Sequence, residues 1–340
     1  MGDGVADDTI ALRRCTFESI ASQRGINLHG RTYRITSIIN IHGVPLIFNG
    51  RLNLDHATQR VCLLARYTPN PTYPDPVPPD WQGPVLLDLV VDGTRCTAAD
   101  QSGLIYLERA RGAVIAGCQV YGVHSGPGIY VRSTSFEENT KPFRPPLPLD
   151  TDWSDHAAVG TAFAPRLTLD PATTAPTCIR ILTTDVALLG GELCHGIIVE
   201  TPYKWDEPGV SSMHDHYQKH GRVKEIHNHI RGVVIAACSV QGGYYGIGLY
   251  SVAEAMICDN TMADSIRNIS IQNNSRSINV LRNFLLGSSS ASIHVAYGCQ
   301  DIYVQQNLIE PDLAHGEGLM QTYVGCDNIH NAPNLSLIHI

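Results

Sequence analysis

In the second half of the chain, apolar residues recur with a period of about two dozen positions. Four segments align: Val233-Val-Ile235-Ala-Ala-Cys238-Ser-Val240, Ala255-Met-Ile257-Cys-Asp-Asn260-Thr-Met262, Ile278-Asn-Val280-Leu-Arg-Asn283-Phe-Leu285 and Ile302-Tyr-Val304-Gln-Gln-Asn307-Leu-Ile309. Their anchors Cys238, Asn260, Asn283 and Asn307 stand 22, 23 and 24 residues apart. Apolar residues recur five and three positions before each anchor and two after it, Ala255 being the weakest, and Ala113, Ile115, Cys118 and Val120 fit the same register. A unit this short cannot bury its apolar side alone, so the pattern predicts coils stacked on one another. Parallel strands lie about 4.8 Å apart, so matching positions of successive coils form ladders. Asn at the anchor suits a bend, where its amide reaches backbone groups of its own turn and of the next coil. The expected fold is all-β, a single right-handed parallel β-helix over residues 1–340. Neither a Leu-rich solenoid nor a four-stranded propeller blade fits the spacing.

A second strand lies between the anchors: Gly128-Ile129-Tyr-Val131, Gly196-Ile197-Ile-Val199, Gly246-Ile247-Gly-Leu249, Ile269-Ser-Ile271, Ile293-His-Val295 and Gly318-Leu319-Met-Gln321. If the first and third residues of each triplet point inward, the next residue points outward. That assigns Arg132, Glu200, Tyr250, Gln272, Ala296 and Thr322 to one external ladder, with Tyr130 and His294 beside it.

The chain opens on a predicted capping helix over residues 7–24. Asp7 or Asp8 caps it, Ile10, Leu12, Cys15, Phe17, Ile20 and Ala21 form its apolar stripe, and Gly25 stops it. Short β-prone runs follow at Thr32–Ile35, Ile38–Ile41, Leu46–Phe48 and Leu52–Leu54. Two excursions, 133–176 and 201–225, leave directly after the same strand of two coils. With the first set aside, Arg132 and Glu200 are about one coil apart, on the side where both excursions emerge. The Pro-rich run from Pro69 to Pro84 reads as a stiff external excursion, with Tyr73 and Trp81 as a sugar platform.

Composition narrows the function. Charged residues make up only 16% of the chain, the net charge is −8, and no Lys/Arg run interleaved with aromatics occurs, so nucleic acid is not an expected partner. The ten Cys show no disulfide framework and no Cys-x-x-Cys pair. Those such as Cys118 and Cys238 sit among apolar residues, where a free Cys acts as a small buried hydrophobe. No signal peptide is visible and no apolar run is long enough to span a membrane, so membrane insertion is not expected.

Gly2-Asp-Gly4-Val-Ala-Asp7-Asp8-Thr9, followed by Ala11, the helix, Gly30-Arg-Thr-Tyr33-Arg-Ile35 and Val91-Asp-Gly93, resembles the entrance to the pectate-lyase superfamily of β-helices. The motifs touch about the first 95 residues, and the coil pattern extends the resemblance to Ile309. It implies a carbohydrate-active or carbohydrate-binding protein. That group includes pectin and alginate lyases, polygalacturonase-like hydrolases, sugar epimerases and bacteriophage tailspike depolymerases. It further implies a polysaccharide partner, an extracellular or virion-associated setting, and a monomer or a tailspike-like homotrimer. The Asp-Pro-His-Glu motif of alginate epimerases is absent, and no paired-Asp polygalacturonase motif transfers. The missing strand before Gly2 and the uncapped stretch Asn334 to Ile340 are features expected of a fragment truncated at its C-terminal end.

Candidate chemistry gathers at the excursion roots. Glu200 is the leading catalytic carboxylate, with Asp215 as its expected partner and Asp206 and Glu207 nearby in sequence; hydrolysis needs one carboxyl as acid and one as nucleophile or base. The segment His214-Asp-His216-Tyr217-Gln-Lys219-His-Gly-Arg222 concentrates proton-transfer groups. For β-elimination on a uronic acid, His214, His216 or a Tyr would remove the C5 proton while Lys219 or Arg222 holds the carboxylate. Two His and an Asp also suit a divalent cation, the one cofactor the sequence brings into view, and no metal ligands are assigned. Arg132, Tyr130, Tyr250, Trp205, Tyr217, Lys219 and Arg222 are the expected substrate-binding residues. Glycosidic hydrolysis is the leading expectation. A uronic-acid lyase or epimerase and a non-catalytic glycan-recognition or structural tail-associated protein are the alternatives, and an Arg132–Glu200 surface salt bridge or a plain solvated loop is the structural reading of the same residues.

Overall fold

The computed structural model describes residues 2–55, 61–65, 83–96, 103–108, 112–132, 178–189, 194–201, 207–224, 229–311, 320–323, 325–331 and 335–336. The excursion 133–176, most of the Pro-rich run with Tyr73 and Trp81, and Trp205 and Asp206 lie outside them.

Every inter-strand pairing among the described residues is parallel, and strands pair with their equivalents one coil away. A full coil contributes three strands, as in Ile230–Ala236, Ser239–Gln241 and Tyr245–Tyr250. The third strand of each coil builds a nine-stranded sheet. One hydrophobic cluster runs up the axis from Leu28 to Ile309. The predicted inward residues Val233, Ile235, Val240, Ile278, Val280, Leu285, Ile302, Val304 and Ile309 are all buried in it.

The anchors form the expected ladder at the corner between the first two strands. Asn283 Oδ1 accepts from Asn260 N (3.1 Å) and Asn260 Nδ2 (2.9 Å), while Asn283 Nδ2 donates to Ile257 O (3.0 Å) and Asn307 Oδ1 (2.9 Å). The residue before each anchor takes positive φ: Ala237 53°, Asp259 56°, Arg282 50° and Gln306 55°. That left-handed residue turns the chain, and the buried amide behind it satisfies backbone groups that the turn removes from the strand ladders. Cys238 fits the same position because its thiol donates to Ile181 O (3.4 Å), as Asn260 Nδ2 donates to Ile235 O (3.0 Å). Burial pushes the Cys238 thiol up to about 12 and that of Cys118 to about 11, so both remain protonated donors.

Three local expectations change. The helix spans Thr9–Ser22 and buries Thr9, Leu12, Thr16 and Ser19, leaving Ile10 and Phe17 exposed. Leu12 is buried in the core and Ile20 packs against it, so only part of the apolar stripe faces the column; the Thr9 hydroxyl faces it too, and Thr36 N donates to Thr9 Oγ1 at 2.9 Å. Asp8 makes no side-chain cap; Asp7 Oδ1 accepts from Thr9 N instead, and Gln23 rather than Gly25 takes the left-handed terminal position. Leu46–Leu54 is one strand, continuous through the left-handed Asn49. Met320 pairs with Ile293 and Thr322 with Val295, one residue away from the predicted register, so Thr322 does not continue the ladder beyond Ala296.

Candidate functional site

Register alone sets the outer ladder. Arg132 pairs with Glu200, Glu200 with Tyr250, Tyr250 with Gln272 and Gln272 with Ala296, as the two-residue alternation requires. The structure adds a rung that the sequence reading passed over: strand Ile105–Glu108 pairs with Gly126–Arg132 and sets Tyr106 beside Tyr130 and Glu108 beside Arg132. The signal was present, since Ile105-Tyr-Leu-Glu108 repeats the Ile129-Tyr-Val-Arg132 pattern.

These rungs form the floor of a cavity of about 700 Å³, lined by Tyr106, Glu108, Tyr130, Arg132, Glu200 and Tyr250, among others, with Ile38, Val61 and Leu64 as an apolar wall. Tyr130 Oη donates to Glu200 Oε2. Tyr106 Oη donates to Glu108 Oε2 at 3.2 Å, and the two phenol rings meet edge to face with centroids 5.3 Å apart. Arg132 stands between the carboxylates on the ladder, and its Nε is buried without a hydrogen-bond partner among the described residues. Burial, then the negative charge of Glu200, raises the Tyr130 phenol far above its ordinary value, in keeping with its hydroxyl donating to Glu200. Burial likewise raises Tyr250 well above its ordinary value.

Along the same face the outward side chains remain aromatic and polar. Tyr245 stacks on His195 (5.2 Å) and meets Tyr244 (4.5 Å) and Tyr250 (6.1 Å) edge to face. Arg267 lies over the Tyr244 ring at 5.7 Å. Gln272 Nε2 donates to Ser270 Oγ at 2.7 Å, and Ser270 Oγ is 3.1 Å from His294 Nδ1. Burial and the Arg267 charge lower His294 to about 4.

The second excursion contributes differently from the expectation. Met213–His220 is a helix, N-capped by Ser212, which accepts from Asp215 N at 3.1 Å. Asp215 Oδ2 accepts from Ser211 N (3.0 Å) and Ser211 Oγ (2.7 Å), and these bonds hold its carboxyl down at about 2. Its geometry is that of a cap. His214 Nδ1 lies 3.3 Å from Tyr297 Oη, which places the helix over later coils, and Asn274 Nδ2 donates to Lys224 O. Lys219 binds Glu207, and His216 Nδ1 binds Arg222 O. Among the described residues, none of Asp215, His214, His216, Tyr217, Lys219 or Arg222 lines the cavity. Glu200, Arg132, Tyr130 and Tyr250 all do. No described helix is long and apolar enough to cross a membrane.

No protein-family model matches the sequence, and no curated protein matches it. Solved structures do match. The surface adhesin PfbA of Streptococcus pneumoniae superposes with a TM-score of 0.55 at 11% identity, over 98% of this chain and 82% of that one. The A-module of the Azotobacter vinelandii mannuronan C-5 epimerase AlgE4 gives 0.43 at 9% identity, over 100% and 96%. The Dettilon tailspike protein gives 0.38 at 12% identity, over 99% and 66%. Identities this low speak to architecture alone. Parallel coils, an N-terminal helix and this likeness together make the chain a right-handed parallel β-helix.

Proposed function

We propose that the chain binds a polysaccharide along the face of the nine-stranded sheet and hydrolyses it in the cavity at Glu108 and Glu200. One observation carries this reading: two carboxylates stand on either side of Arg132 in one ladder, inside one cavity. Two strand spacings separate their backbones by roughly 10 Å. Inverting hydrolysis needs two carboxyl groups about 6.5–9.5 Å apart, one to protonate the leaving oxygen and one to activate water. Tyr130 and Tyr106 orient the two groups, and Arg132, which lines the cavity between them, offers a guanidinium donor to a sugar hydroxyl or carboxylate. The raised Tyr130 argues against the lyase alternative at this position, since β-elimination would need a phenolate there. Glycan polymers of this kind lie outside cells, so the reading carries an extracellular or virion-associated setting with it.

The test is a panel of acidic and neutral polysaccharides, with new reducing ends and ultraviolet-absorbing unsaturated ends followed together. Reducing ends without unsaturation support hydrolysis, and their loss in both Glu108→Gln and Glu200→Gln supports the assignment. Full rates in both folded variants overturn it.

A second reading, recognition without turnover, is favoured by the aromatic group Tyr244, Tyr245 and Tyr250 beyond the carboxylates, a stacking surface for pyranose faces. The fold neighbour described as a surface adhesin is compatible with it. Saturable glycan binding with no product from any polymer selects this reading.

A further inference from the structure

The second excursion carries a cluster that the cavity does not use. Glu207, His216 and His220 each offer a ligand atom, and these three atoms lie within 4.8 Å of one another. His216 and His220 are one helical turn apart on Met213–His220, the i, i+4 spacing that puts two imidazoles on one helix face for a metal. Their ring centroids are 4.6 Å apart. His220 Nε2 already lies 2.7 Å from Glu207 Oε2, across 13 residues of chain.

The surroundings of the cluster resemble those of a built site. His216 Nδ1 lies 3.0 Å from Arg222 O. A ring that donates from Nδ1 to a carbonyl carries its lone pair on Nε2, the tautomer that such outer contacts set in metal-bound His. Lys219 Nζ holds the other carboxylate oxygen of Glu207 at 2.8 Å and also donates to Pro208 O at 3.1 Å, so Glu207 is oriented from behind.

We propose that Glu207, His216 and His220 bind one Zn²⁺ ion, which clips the start of the excursion to its helix. Two imidazoles and one carboxylate are a borderline nitrogen and oxygen donor set, suited to Zn²⁺ and unlike the all-oxygen shells of Ca²⁺ or Mg²⁺. With metal–ligand bonds of about 2.0–2.1 Å, tetrahedral ligands stand roughly 3.3 Å apart. The cluster therefore closes on the ion by side-chain movements of little more than an ångström. The ion would stand between His220 Nε2 and Glu207 Oε2, now 2.7 Å apart, and three protein ligands leave a fourth position for water. The helix is tied to the column through His214 with Tyr297 and through Lys224 O with Asn274, so the ion would fix Glu207 to a helix already anchored there. The inference stands whether or not the cavity hydrolyses a glycan.

The experiment titrates the full chain, stripped of metal by a chelator, with Zn²⁺ by calorimetry, and with Co²⁺ as a visible-absorbance probe of four-coordination. One saturable Zn²⁺ per chain is expected, with affinity at least about tenfold weaker in each of His216→Ala, His220→Ala and Glu207→Gln. His214→Ala, which alters a neighbouring imidazole outside the cluster, retains full affinity. Zn²⁺ also raises the thermal unfolding midpoint of the unmodified protein but not of the doubly substituted His216→Ala, His220→Ala chain, whose metal-free midpoint serves as the folding control. Absence of saturable uptake overturns the proposal. So does uptake that survives in both His variants, or that falls equally in His214→Ala.

Discussion

Tyr130 donates its phenolic hydrogen to Glu200 from the neighbouring coil, so the leading carboxylate is oriented by a residue 70 positions earlier in the chain. Tyr106 treats Glu108 in the same way from within one strand, at 3.2 Å. Two tyrosine-oriented carboxylates flanking Arg132 make the pair, and not either Glu alone, the unit to test.

If Glu108 and Glu200 act as acid and base in one reaction, Glu108→Gln and Glu200→Gln each lower kcat by about 10²–10⁴-fold. The double variant falls little further, because residues acting as a unit are strongly non-additive. Initial rates on the most active polymer, with circular dichroism as the folding check, decide this. Multiplying losses would mean two independent roles.

Arg132→Gln is expected to raise KM for an acidic polysaccharide more than for a neutral one, since a guanidinium between two ladder neighbours is the donor placed for a sugar carboxylate. Equal effects on both polymers would remove Arg132 from substrate recognition and leave it as a support for the carboxylates.

The Asn ladder predicts a stability result. Asn283→Ala removes partners from Asn260 N, Asn260 Nδ2, Ile257 O and Asn307 Oδ1, all in a buried corner. Each unsatisfied buried group costs about 1–3 kcal/mol, so a loss of at least about 3 kcal/mol is expected in urea unfolding. A change below about 1 kcal/mol would show that water replaces the amide.

Gly196 begins the turn of strand that ends at Glu200. A Cβ there would lie 2.4 Å from both Gly246 O and Val240 Cγ1, and backbone cannot swing aside as a side-chain tip does. Gly196→Ala should cost roughly 1–3 kcal/mol by overpacking and lower activity beyond the stability loss by displacing Glu200. A variant with unaltered midpoint and rate would contradict that close approach.

His294 is lowered from its ordinary 6.5 to about 4 by burial and by Arg267. As pH falls, the unfolded chain takes up this proton first, so His294 contributes to a loss of stability between about pH 6.5 and 4. Denaturation midpoints at pH 7 and pH 5 should differ less in His294→Gln than in the unmodified protein. An identical difference would mean that His294 is solvated.

The coil repeat was legible because parallel stacking converts spatial neighbours into a near-constant sequence spacing. Ile197 lies over Ile129 and Glu200 over Arg132 for the same reason that Asn260, Asn283 and Asn307 recur, and the two-residue alternation then decides which side chains face outward. Residues 1–340 thus carry their own account of the core, the corners and the Arg132–Glu200–Tyr250 ladder. Local pattern failed where contacts were made by something other than the next coil. Thr9, Thr16 and Ser19 are buried with their hydroxyls paired, Thr9 Oγ1 accepting from Thr36 N, Thr16 Oγ1 donating to Arg13 O and Ser19 Oγ donating to Arg24 O, and hydrophobic periodicity has no term for that. Asp215 and His216 are separated by one residue bond yet serve different ends: the helix turns Asp215 back to Ser211 and His216 forward to His220 and Glu207. Where each carboxylate lies relative to Glu200 was likewise a tertiary matter, for the helix that carries Asp215 docks at Tyr297, several coils away, while Glu108 stands two rungs from Glu200 on the ladder itself. Sequence spacing specifies neighbours wherever the geometry repeats, and only the folded chain specifies them where a segment leaves the repeat and returns at a place set by packing.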